Sequence, residues 1–148
     1  MKICFVASAG GHMLQLLKLD NISCAHESVY VTTSELLSKK LSQRGIFYAV
    51  GESNRQHPVR ILKVLWKCIR IIAREKPDVV ISTGASVGCI MGVLCKLRGG
   101  KVIWVDSITN VSRPSMSGRL IRPFADLFFV QWDRLSEPYN ARYVGTLI

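Results

Sequence analysis

Acidic residues are scarce. Ten Asp and Glu stand against twenty Lys and Arg in 148 residues, leaving a formal charge of +10, which implies an anionic partner: nucleic acid, phospholipid headgroups or a phosphorylated ligand. Charge alone does not choose among them, but nucleic-acid binding lacks its usual equipment. There is no recognition-helix pattern, no zinc module and no set of aromatics interleaved with basic residues, because Trp104, Phe128 and Phe129 fall in strand-like runs that read as core. The five cysteines (Cys4, Cys24, Cys68, Cys89 and Cys95) are odd in number, lie mostly in apolar segments and never form C-x-x-C. Reduced thiols in a cytosolic protein are therefore expected, not a disulfide framework. No apolar run reaches the ~20 residues of a bilayer span, and Lys2 leads straight into a short strand-like run where a signal peptide would place its apolar stretch. Export is not expected, and any membrane contact should be peripheral. Repeats, low-complexity tracts and linkers longer than Gly51–His57 are also missing, so residues 1–148 read as a single domain.

What is present is apolar. Hydrophobic residues make up 49% of the chain and charged residues 20%, too hydrophobic for disorder and slightly rich for a solitary domain, so some apolar surface should meet a partner or a membrane. Short β-branched runs alternate with longer helical patterns, as in stacked βαβ units. Strands are predicted at Ile3–Ala7, Val29–Thr32, Phe47–Val50, Val79–Ser82, Val102–Asp106 and Leu127–Gln131. Helices are predicted at Met13–Leu19, Ser34–Arg44, Pro58–Glu75, Ser86–Leu97 and Ser115–Pro123, with starts marked by Ser34, Pro58 and Ser86. Most strands are continuously hydrophobic, which implies a parallel sheet covered on both faces. The expected fold is α/β, a Rossmann-like doubly wound sheet. Ligands bind such sheets beyond the carboxyl ends of the strands, where Ser8–His12, Thr83–Ala85 and Ser107–Pro114 should gather.

These loops hold the chemistry-bearing residues. Gly10 and Gly11 allow a tight turn and close backbone approach ahead of a helix N-terminus that favours an anion. His12 fits a general base for an acceptor hydroxyl, and equally a histidine that braces its loop. The run is not G-x-G-x-x-G, and no acid ends the second strand, so dinucleotide binding is a minor option. The small-residue turn Thr83, Gly84, Ala85 and Ser86 suits a pyrophosphate or sugar, or else lets the next helix pack closely. Asp106 and Ser107 open a loop running to Arg113, Ser115, Ser117 and Arg119. A carboxylate there orients a sugar while guanidinium groups bind phosphate oxygens, or it merely caps the next turn.

The helix predicted from Pro58 carries Arg60, Lys63, Lys67, Arg70 and Arg74 at intervals of three and four. At about 100° per residue these cations fill only about 80° of the helix. Ile61, Leu62, Val64, Leu65, Trp66, Ile69, Ile71 and Ile72 cover most of the rest. The pattern fits contact with an anionic membrane, with Trp66 near the interface, or a packed helix with a solvated charged edge.

Three segments together carry a family resemblance: Ser8-Ala9-Gly10-Gly11-His12, Ser82-Thr83-Gly84, and the run from Trp104-Val105-Asp106-Ser107 through Ser117-Gly118-Arg119-Leu120-Ile121-Arg122-Pro123-Phe124-Ala125-Asp126 to Phe129-Val130-Gln131-Trp132. The chain resembles the acceptor-binding subunit of the two-part N-acetylglucosaminyltransferase of dolichol-linked N-glycan synthesis and its bacterial capsule and exopolysaccharide counterparts. The resemblance implies the acceptor half of a GT-B glycosyltransferase similar to MurG. It further implies a separate donor-domain subunit holding the UDP-sugar, recruitment to the cytoplasmic face of the membrane, and no bound metal or other cofactor. The implied reaction is inverting sugar transfer to a polyprenyl-pyrophosphate-linked saccharide, with His12 deprotonating the hydroxyl and Asp106 orienting it. Gly10, Gly11, Thr83–Ser86, Ser107, Arg113, Ser115, Ser117 and Arg119 would line the acceptor cleft. A non-catalytic adaptor that only anchors and activates its partner is the rival reading.

Overall fold

A computed structural model of the chain describes residues 1–53 and 56–147. Seven strands form one sheet in the order β3-β2-β1-β4-β5-β6-β7, and every pairing is parallel. They are β1 (Lys2–Val6), β2 (Glu27–Thr32), β3 (Ile46–Ala49), β4 (Val79–Ser82), β5 (Lys101–Val105), β6 (Leu127–Val130) and β7 (Arg142–Tyr143). The helices are α1 (Gly11–Leu17), α2 (Ser38–Leu41), α3 (Pro58–Glu75), α4 (Ala85–Leu97) and α5 (Met116–Ile121). Strand order reverses between β1 and β4, so the loops after these two strands flank the switch point where such sheets bind ligands.

Side chains alternate across the sheet. Cys4, Val6, Val29, Val31 and Val80 meet α3 and α4 through Val64, Cys68, Ile71, Val87 and Met91. Ile3, Phe5, Tyr30 and Ile81 meet α1 and α2 through Met13, Leu16 and Leu41. A third cluster around Trp104, Ile121 and Phe128 seats α5. Small residues set the helix spacing: a Cβ on Gly88 would lie 1.9 Å from Ser82 Oγ, and one on Gly92 2.9 Å from Ile121 Cδ1.

Several boundaries differ from the sequence prediction. Helix α3 begins at Pro58 as expected and ends where Lys76 turns left-handed at φ 47°. The predicted helix 34–44 is a 3-10 turn, Glu35–Leu37, followed by the short α2. Ser34 does cap it, accepting from Leu36 N–H at 3.3 Å. Leu36 is 91% exposed and only Leu41 is buried in α2, so no packed stripe sustains a longer helix. A 3-10 stretch at Asp20–Ala25 and the edge strand β7 were not predicted. The predicted linker 51–57 includes Asn54 and Arg55, which lie outside the described residues.

Candidate functional site

The chain leaves β1 and enters α1 through Gly10, whose φ of 99° is open to glycine. His12, in the first turn of α1, sets Nδ1 3.0 Å from the Thr83 carbonyl oxygen. Thr83 Oγ1 donates back to the His12 carbonyl at 2.5 Å. This reciprocal pair locks the first loop to the β4–α4 turn. A carbonyl only accepts, so in the neutral ring Nδ1 carries the proton and Nε2 keeps its lone pair. The ring lies against Gly84, where a Cβ would stand 2.5 Å from Nδ1 and Cε1.

Gly84, at φ 143°, precedes Ala85 at φ 69°, a left-handed conformation that costs a non-glycine residue ~1–2 kcal/mol. Strain of this kind persists where the surroundings enforce it, often at ligand sites. The start of α4 shifts accordingly: Gly84 is its N-cap, without a side-chain capping bond, and Ser86 sits in the first turn. Ser86 Oγ meets Ser53 Oγ at 2.6 Å, bringing the β3–α3 segment to the same spot. Ala9 N–H donates to Thr33 Oγ1 at 3.0 Å, adding the loop after β2.

Asp106 lies beneath these loops at 1% exposure. Its Oδ1 accepts from Ser115 Oγ at 2.7 Å and Trp104 Nε1 at 3.1 Å, and its Oδ2 from Ser115 N–H at 2.9 Å and Asn110 Nδ2 at 3.0 Å. Ser115 Oγ in turn accepts from Gly118 N–H at 2.9 Å, capping α5. Gly118 is bare because a Cβ there would stand 2.7 Å from Asp106 Oδ1. The carboxylate thus organises its own loop with all the donors around it. Ser107 is buried and Ser117 half-buried, while Arg113 on the loop and Arg119 on α5 are exposed.

An amide pair between the buried Gln131 and the half-buried Gln15 carries no signal in the sequence. Gln131, at 2% exposure, donates to Gln15 Oε1 at 2.8 Å and Asp106 O at 2.9 Å and accepts from Leu147 N–H at 2.8 Å. Gln15 sits one turn after His12 and reaches Ser107 Oγ at 3.4 Å. The pair therefore ties α1 to the loop after β5.

On α3 the predicted surface residues separate into two strips. Leu62 (64% exposed), Trp66 (58%), Val59 and Ile69 form an outward apolar strip. Arg60, Lys63, Lys67, Arg70 and Arg74 are all exposed on the flank beside it. The Arg70 guanidinium stacks 4.7 Å over the Trp66 ring. No helix among the described residues is long and apolar enough to cross a membrane.

The cysteines are free: Cys4, Cys68 and Cys95 are buried, Cys89 is half-buried and Cys24 is exposed. Burial pushes the Cys68 thiol up to about 12 and Cys4 well above its ordinary value, so neither supplies a thiolate nucleophile. Among the described residues no His, Cys, Asp or Glu cluster assembles to hold a metal ion.

A parallel sheet with its loops gathered at the β1–β4 switch point is one Rossmann-like half of the GT-B fold. MurG of Acinetobacter baumannii superposes with a TM-score of 0.73 at 17% identity, over 90% of this chain and 42% of that one. The UDP-N-acetylglucosamine 2-epimerase of Rickettsia bellii gives 0.72 at 15% identity, over 99% of this chain and 45% of that one. The chain thus spans less than half the length of these solved proteins, and at such identities the likeness is one of fold. The chain belongs to the family described as oligosaccharide biosynthesis protein Alg14 like, whose model matches residues 3–147. It is 27% identical to the UDP-N-acetylglucosamine transferase subunit ALG14 of Homo sapiens, covering 100% of this chain and 83% of that protein. It is a glycosyltransferase subunit.

Proposed function

We propose that this chain is the acceptor-binding and membrane-recruiting subunit of a two-component glycosyltransferase, working with a separate donor-domain subunit that holds the UDP-sugar. The acceptor is a polyprenyl-pyrophosphate-linked saccharide at the inner face of the cell membrane. The observation that carries the catalytic reading is the His12–Thr83 pair, which holds the ring beside the α4 N-terminus and occupies Nδ1, leaving Nε2 as the acceptor of the neutral ring. In the reaction, the acceptor hydroxyl attacks the anomeric carbon and passes its proton to Nε2. The bond from that carbon to the UDP oxygen breaks and UDP leaves with the electron pair, inverting the centre. The amides opening α4, with Gly10, Gly11 and Ser86, suit the acceptor's pyrophosphate. Asp106 acts as a positioning residue, holding Ser107 and the loop to Ser115 against the cleft, while Arg113, Ser117 and Arg119 extend its rim. The paired strips on α3 suit an anionic membrane surface. Support for a partner comes from the relatives' designation as a subunit.

Substitution of His12 tests this directly. His12→Ala is expected to lower turnover of the assembled complex by a factor on the order of 100, the usual contribution of a positioned acid–base group, with partner affinity and folding retained. Turnover is measured at saturating donor and acceptor. Near-wild-type turnover in a normally assembled complex would reduce His12 to a loop brace and favour the non-catalytic adaptor.

A further inference from the structure

Away from the cleft, a polar recess of about 370 Å³ opens between the 3-10 turn Arg122–Phe124, the first residues of β6 and the turn into β7. Helix α5 starts at the carboxyl end of β5, where Ser115 meets Asp106. Its far end lies by the amino end of that strand, where Asp126 N–H donates to Val102 O at 2.9 Å. Recess and cleft are therefore at opposite ends of the sheet. Arg122, Asn140 and Arg142 line the recess together with Asp126. Arg122 Nε is one of two buried side-chain polar atoms among the described residues with no hydrogen-bond partner. Asp126 does not supply the missing acceptor. Lys96 at 2.7 Å and Lys101 at 3.5 Å hold its Oδ1, and Val102 N–H holds Oδ2 at 2.8 Å. With its charge matched by two lysines, the recess is left cationic through the two arginines.

A buried guanidinium N–H without an acceptor is costly, and arginine forks match oxyanions in charge and geometry. We propose that the recess is a binding site for a phosphate-class oxyanion, inorganic phosphate or pyrophosphate, held between Arg122 and Arg142 with the Asn140 amide as a further donor. Bound there, the anion joins the end of α5 to the edge strand β7. The site does not depend on the transferase reading. Calorimetry on the full chain, at constant ionic strength with chloride as the balancing anion, is expected to show saturable binding of inorganic phosphate. Arg122→Gln and Arg142→Gln are each expected to weaken it about tenfold or more, as loss of a charge-assisted fork does. Arg142 is exposed on β7, so its replacement leaves the fold intact and keeps the test sound if the Arg122 variant is unstable. Gly84→Ala, which alters the distant cleft, is expected to leave this binding unchanged, and its loss there would move the anion to the cleft and overturn the assignment. Absence of saturable binding, retention in both arginine variants, or equal affinity for acetate would each overturn the proposal.

Discussion

At the scale of single residues, the site depends on contacts too close for ordinary side chains. Gly84 makes room for the His12 imidazole and takes a backbone angle that favours glycine, so Gly84→Ala meets both obstacles at once. The ring must move from the Thr83 carbonyl or the turn must reshape. We expect a stability loss of about 1–3 kcal/mol, typical of overpacking a built site, together with reduced turnover in the assembled complex. Thermal unfolding and steady-state kinetics on the same preparation check this. Unchanged turnover with a normal melting temperature would mean that the Gly84 contact positions nothing. Asp106 teaches the complementary lesson: its sequence leaves open a sugar-orienting carboxylate or a cap on the next turn, and its partners Ser115, Asn110 and Trp104 all come from its own segment. Spacing along the chain does not reveal that a loop folds back onto such a residue.

At the scale of elements, Glu75 joins three of them. It closes α3, accepts from Tyr48 Oη on β3 and ion-pairs with Lys2 of β1 at 3.2 Å. Burial acts to raise its pKa, but the hydrogen bonds from Tyr48 and Lys2 outweigh it and hold the carboxyl below its ordinary 4.5. A depressed folded pKa gives stability that is present above the unfolded value and is lost as pH falls through the folded one. Wild type should therefore lose stability below about pH 4.5. Glu75→Gln should be less stable near neutrality and lose less on acidification. Melting temperatures from pH 3 to 7 decide it, and parallel curves for both proteins would contradict the assignment.

Legibility followed the same scale. Continuous apolar strands and the strongly periodic α3, opened by Pro58, could be read in sequence because burial pattern and start signal agree there. The two-residue β7 could not, since tertiary pairing alone creates it, and the predicted helix 34–44 shortens to a 3-10 turn and α2 because no packed stripe sustains it. The three loops gathered as expected from the switch-point rule. The Gln15–Gln131 pair stayed hidden because a lone amide has no periodic signature.

At the scale of the whole molecule, a formal charge of +10 and the paired strips of α3 make one surface cationic and amphipathic. Binding to anionic vesicles is expected at low salt and should weaken as ionic strength rises, because screening acts on exposed charges. Co-sedimentation reads it, and binding indifferent to salt would speak against an electrostatic contact. The central claim is division of labour between two chains. Its most direct measurement is turnover of a UDP-sugar on a polyprenyl-pyrophosphate-linked saccharide, assayed for this chain alone, for a donor-domain subunit alone and for their mixture. The account predicts transfer only in the mixture. Turnover by this chain alone, or no gain over the donor subunit on mixing, would contradict it.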